Sequence, residues 1–60
     1  MIRLNNNTPS EILLNVKEGD MVTDTFSKTG LVEKIETSDD GLYKIYNFYL
    51  VTGRSITIKK

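Results

Sequence analysis

The sequence predicts a mainly all-β fold: a small closed β-barrel of four to five short strands with a short N-terminal helix, one domain over residues 1–60. Three observations carry that prediction. From Gly19 onward the chain consists of short runs rich in Val, Ile, Thr and aromatic residues, with the alternation a half-buried strand requires. Turn signals punctuate these runs at short spacing, the strongest being Ser38-Asp39-Asp40-Gly41, where Asp-Gly supplies the positive φ of a tight hairpin. A chain of 60 residues, 38% apolar and 27% charged, makes one globular core and has no room for a second. A sheet of so few residues hides its edges best by closing on itself.

The elements follow in chain order. Arg3 to Asn7 reads as a brief strand running into an Asn-rich loop. Thr8-Pro9-Ser10-Glu11 resembles a helix start: Thr8 fits an N-cap, Pro9 the first helical position, and Glu11 the acidic position of a capping box. Ile12, Leu13 and Val16 then form one apolar stripe and Gly19 suits a stop, which places a helix at about 9–17. The competing reading is a hairpin with Glu11 to Val16 as a strand. Strands are expected at about 20–26, 31–37, 42–52 and 55–60. In the first of these, Val22 and Phe26 share one face. The turns between them are Lys28-Thr29-Gly30, Ser38 to Gly41, and Thr52-Gly53-Arg54.

The last hairpin admits two registers. A two-residue loop at Thr52-Gly53 sets Tyr49 against Ile56 and Asn47 against Ile58. A three-residue loop at Thr52-Gly53-Arg54 sets Leu50 against Ile56 and Phe48 against Ile58. A slip of one residue inverts the whole face. The second register matches apolar with apolar and is preferred. It turns Asn47, Tyr49, Thr57 and Lys59 outward and puts Tyr46 at the barrel end near Lys60.

Gly19-Asp20-Met21-Val22, seven residues, then Gly30-Leu31-Val32-Glu33-Lys34-Ile35 reads as G-D-x-V…G-x-V-x-x-I. This resembles the opening hairpin of KOW-type SH3-like barrels, and is similar to the soluble part of the preprotein translocase accessory subunit. The likeness covers residues 19–35, 17 of the 60. It implies an SH3-like small barrel in which Gly19 turns the chain into the first strand, Asp20 accepts turn hydrogen bonds, Val22 enters the core and Gly30 lets the chain reverse. KOW-type proteins often bind RNA, ribosomes or RNA polymerase, so the resemblance implies a partner of that kind. The basic, Gly-rich loop of that family is replaced here by Asp24-Thr25-Phe26-Ser27-Lys28, with one acid and one base.

Composition removes much chemistry. There is no Cys, no His and no Trp, hence no disulfide, zinc ribbon, thiol nucleophile or imidazole base. Gly30, Gly41 and Gly53 stand alone, so no phosphate loop is formed, and Asp39-Asp40 lacks the spaced ligands of a calcium loop. Glu33, Lys34 and Glu36 read as a solvated strand face rather than an acid–base pair. An enzyme is therefore not expected, nor a cofactor or metal. No apolar run approaches 18 residues, so no membrane helix is expected, and a soluble cytoplasmic protein is the simplest expectation.

The formal net charge of zero conceals two unlike parts. Residues 1–40 carry four positives against eight negatives, a balance of −4. Residues 41–60 carry Lys44, Arg54, Lys59 and Lys60 with no acid, a balance of +4. Tyr43, Tyr46, Phe48 and Tyr49 lie in that basic part. Tyr46, Tyr49, Arg54, Lys59 and Lys44 are accordingly the candidate partner-binding residues, because Tyr and Arg anchor interfaces. Two functions compete. One is a protein-binding regulator or inhibitor of a larger machine, such as a host transcription, translation or defence complex; small stand-alone proteins of this kind are common in phage genomes. The other is a single-stranded RNA or DNA binder that stacks bases on the same tyrosines. The chain is expected as a monomer, or as a homodimer through an open barrel edge.

Overall fold

In the computed structural model, which describes residues 1–60, the elements are β1 (Ile2–Arg3), α1 (Ser10–Asn15), β2 (Met21–Thr23), β3 (Thr29–Asp39), β4 (Lys44–Leu50) and β5 (Ser55–Lys59). They form one five-stranded sheet in the order β1-β2-β3-β4-β5. All pairs are antiparallel except β1–β2. The mainly β class, the strand number and the short N-terminal helix are those expected from the sequence. The ladder leaves β1 and β5 as edges that do not pair with each other, so strand pairing does not close the sheet on itself as the sequence suggested.

Strand β2 has three residues, not the expected run over 20–26. The cause is Asp24, whose Oδ1 accepts the N–H groups of Phe26 at 2.9 Å and Lys28 at 2.8 Å. This closes a turn with Ser27 in the left-handed region at φ 64°. Phe26 is carried to the surface instead of sharing the inward face of Val22. The reversal therefore falls at Asp24 to Lys28, and Gly30 is already strand, opposite Val22. It is not the turn residue that the sequence suggested.

Strand β3 runs beyond the expected 31–37 and carries a bulge between Val32 and Lys34. Glu33 is the extra residue, since Val32 pairs with Leu50 and Lys34 with Tyr49. The bulge resets which residues face inward: Gly30 and Val32 before it, Ile35 and Thr37 after it. Strand β4 is shorter than the expected 42–52 at both ends. Asp40 to Tyr43 form the turn before it, closed by the Asp40 N–H on the Tyr43 carbonyl at 3.1 Å, with Gly41 at φ 93° as Asp-Gly predicts.

The helix is shorter than 9–17, and its start differs from a capping box. Pro9 is the N-cap, and no side chain caps the helix. Thr8 is spent elsewhere: its hydroxyl donates to the Arg3 carbonyl at 3.1 Å and accepts the Asn5 N–H at 2.9 Å. Val16 ends the helix in extended backbone, so Gly19 is not its stop. Gly19, at φ 92°, makes the Lys17–Asp20 turn into β2, and Asp20 Oδ2 accepts the Lys17 N–H at 2.9 Å.

The last hairpin keeps the expected faces in a register shifted by two. Phe48 pairs with Ile56 and Tyr46 with Ile58. The three-residue loop is Val51-Thr52-Gly53, closed by the Leu50 N–H on the Arg54 carbonyl at 2.8 Å. Gly53 at φ 91° is its last residue, the position where a three-residue hairpin needs a left-handed backbone. Moving the loop by one residue moves the register by two, so parity survives. The core gathers Val22, Val32, Phe48, Leu50, Ile56 and Ile58 from the sheet, with Leu4, Leu13 and Val16 closing one end.

Candidate functional site

The hydrogen-bond pattern of β4 and β5 decides what the last strand offers to a partner. Lys44 and Lys60 exchange two backbone bonds of 2.9 Å each, and Leu50 donates to Arg54. Antiparallel pairs alternate, so Tyr46–Ile58 and Phe48–Ile56 are bonded pairs as well. The N–H and C=O groups of Ser55, Thr57 and Lys59 therefore point away from β4, along the free edge of the sheet. Only the Ser55 carbonyl meets a partner there, Lys28 Nζ at 3.1 Å. Lys28 is also 3.9 Å from Asp24 Oδ2, so the β2–β3 turn is tied to the start of β5 by this one side chain.

The opposite edge is built differently. On β1 the outward carbonyl of Arg3 is taken by the Thr8 hydroxyl, and the same hydroxyl takes the Asn5 N–H. Thr8 is buried, and behind it Leu4 donates to the Thr23 carbonyl at 2.7 Å.

The five candidate residues do not form one surface. Tyr46 is only 3% exposed, and its ring stacks on Phe48 with centroids 6.4 Å apart inside the core. It is a core residue, not the barrel-end contact expected. Lys44 Nζ lies 5.5 Å from the centre of that ring, so Lys44 caps the core end by a cation–π contact. Tyr49 and Lys59 do face outward, as the preferred parity requires. Tyr49, however, stands in a shallow depression with Glu18, Glu33, Lys34 and Glu36. Arg54 and Lys59 sit at opposite ends of β5, about 17 Å apart at roughly 3.4 Å per residue.

Exposed Tyr43 is also flanked by carboxylates. Asp40 Oδ1 accepts the Tyr43 N–H at 2.7 Å and the Leu42 N–H at 3.0 Å, and Asp39 Oδ1 accepts the Gly41 N–H at 2.8 Å. These bonds to Tyr43 and Leu42, aided by the nearby Lys59 charge, hold the Asp40 carboxyl below the usual carboxylate range. The Asp pair is thus committed to the hairpin turn.

One residue that the alternation pattern hid is Phe26. It is 80% exposed on the turn fixed by Asp24, and it lines a cleft of about 340 Å³ beside β5. The cleft floor is Leu4, Ile56 and Ile58, and Asn5 to Asn7 form its far rim. The signal available in the sequence was Asp24 two and four residues before Phe26 and Lys28, the spacing of a carboxylate that captures turn amides. Comparisons of the chain with family models, with curated proteins and with solved structures return no match. No helix is long and apolar enough to cross a membrane.

Proposed function

We propose that this protein is a non-catalytic module that binds another protein, as a regulator or adaptor of a larger assembly. The observation that supports this over nucleic-acid binding is the company kept by its outward tyrosines. Tyr49 shares its depression with Glu18, Glu33 and Glu36, and Tyr43 sits on the Asp39-Asp40 turn. Carboxylates beside a stacking ring repel the phosphates that supply most of the affinity for a strand of nucleic acid. With Tyr46 in the core, the basic hairpin offers no row of stacking rings. What it does offer is a free strand edge with cations at both ends and an exposed phenylalanine beside it, which suits a polypeptide partner.

Titration of labelled single-stranded RNA and DNA against the chain at low salt tests this reading. No shift at high micromolar protein is expected. Binding that weakens steeply with salt and is lost in Tyr49→Ala would replace it with the nucleic-acid function. Affinity capture that recovers only nucleic acid would have the same force.

A further inference from the structure

We infer that the free edge of β5 accepts an extended, acidic segment of the partner protein as a sixth strand, an inference that rests on the protein-binding reading above. The outward N–H and C=O groups of Thr57 and Lys59 and the outward N–H of Ser55 neither donate to nor accept from the rest of the chain. Four consecutive groups, with the Ser55 N–H beyond the carbonyl that Lys28 takes, form in strand geometry the template used in strand addition, where the main chain supplies affinity and alternate side chains supply specificity.

The surroundings define those side chains. On the inward side, an added strand lies over the cleft floored by Leu4, Ile56 and Ile58, with Phe26 standing over it. Phe26 is the exposed apolar side chain of that cleft, so the segment residue that faces it is apolar. The Phe26 and Lys28 amides donate to Asp24 Oδ1, so the turn that carries the exposed ring to an incoming side chain is fixed. On the outward side the segment runs beside Ser55, Thr57 and Lys59, with Arg54 at one end of β5 and Lys60 at the other. Arg54, Lys59 and Lys60 lie on or beside β5 and residues 41–60 hold no acid, so the intervening positions of the segment are acidic. The same charge opposes a second copy of this chain, since edge-to-edge pairing of two β5 strands would set these cations against each other. Lysine on an edge thus excludes self-pairing while admitting a strand of opposite charge.

A displayed library of random ten-residue peptides, selected on the full chain, is the probe. Enriched peptides should carry Asp or Glu around an apolar residue and lack proline at their centre. Phe26→Ala and Lys59→Glu change exposed side chains and leave the fold intact. Each should weaken the selected peptides roughly tenfold or more, the loss of a single anchor. A chain made by chemical synthesis with an N-methyl group on Thr57 should abolish binding, because that amide faces away from the β4 ladder and only an added strand needs it. Enriched peptides without acidic residues, peptides indifferent to N-methylation at Thr57, no enrichment, or a dimer in which the Thr57 amide is protected would each overturn the inference. Peptides that bind but ignore Thr57 leave the protein-binding reading standing and remove the edge. Oligonucleotide binding without peptide enrichment removes both.

Discussion

The two edges of this sheet solve the same problem in opposite ways. At β1 the strand is two residues long, and its outward carbonyl is bonded to the buried Thr8 hydroxyl. At β5 the strand is five residues long, and only its first carbonyl is met, by the flexible Lys28. An unpaired edge invites another strand, and proteins blunt it by shortness, by cover or by charge. β1 uses shortness and cover. β5 uses charge alone, and charge is the one device that discriminates between partners. The difference suggests that β1 is closed for stability, whereas β5 is left open to a chosen strand.

The largest effect that would sharpen this contrast is on stability. Leu4 and Phe26 line the same cleft, yet Leu4 is 1% exposed and Phe26 is 80% exposed. Leu4→Ala removes packing at the closed edge and should cost about 2–5 kcal/mol in chemical denaturation. Phe26→Ala should change stability by no more than about 0.5 kcal/mol. Comparable losses from both would mean that the cleft is part of the core, and the distinction between the edges would collapse.

Next in size is the hydroxyl that covers β1. Thr8→Val keeps the shape but leaves the Arg3 carbonyl and the Asn5 amide without their partner. A cost of about 1–3 kcal/mol is expected, with faster hydrogen exchange at the Asn5 amide. An unchanged midpoint would show that shortness alone protects β1.

The faces of β5 depend on Gly53, because the loop that it ends fixes which β5 groups point to the edge. Gly53→Ala places a side chain at φ 91° and should cost about 1–2 kcal/mol. Gly30→Ala is the control. An added Cβ there would lie 3.4 Å from Thr52 Cγ2 and 3.5 Å from Leu50 Cβ, ordinary contact at an unstrained φ. It should be neutral, or stabilising by up to about 1 kcal/mol through the unfolded chain. Thermal melts of the two variants read the difference.

Where the chain announces its geometry, it does so through single residues with one physical option. Gly41 and Gly53 mark left-handed turn positions, and the apolar alternation of β4 and β5 set the correct parity without the register. The bulge is written in the spacing Gly30, Val32, Ile35, two residues and then three, a break in strand period that only an extra residue can absorb. The misplaced parts are those where a polar side chain had two uses. Thr8 could cap a helix or cover an edge, and Asp24 could lie in a strand or capture a turn. In both cases the outcome depends on what stands opposite in space. Tyr46 could likewise serve a surface or a core, and the shifted register buried it against Ile58. The candidate site was the least legible, since Tyr46, expected at the barrel end near Lys60, lies in the core opposite Ile58 while Tyr49 and Lys59 face outward.

The smallest expected effect concerns the turn near the far end of the open edge. Asp40 accepts amide hydrogens from Tyr43 and Leu42 in the folded state, and its carboxyl is held below the ordinary value of 3.8. A carboxyl with a lowered folded value contributes stability that is fully present above the unfolded value. That stability is lost as the pH falls below 3.8 and through the folded value. Asp40→Asn keeps an acceptor oxygen for the two amides but cannot change charge. The denaturant midpoints of the natural chain and of Asp40→Asn, followed from about pH 6 to about pH 2, should keep a constant gap at first. The gap should narrow only below the ordinary carboxylate value. Lys59 is a weaker cause than either amide, so Lys59→Gln should shift the onset less than Asp40→Asn removes it. A larger effect from Lys59 would mean that its charge is engaged by the turn, leaving the β5 edge less cationic than an acidic strand requires.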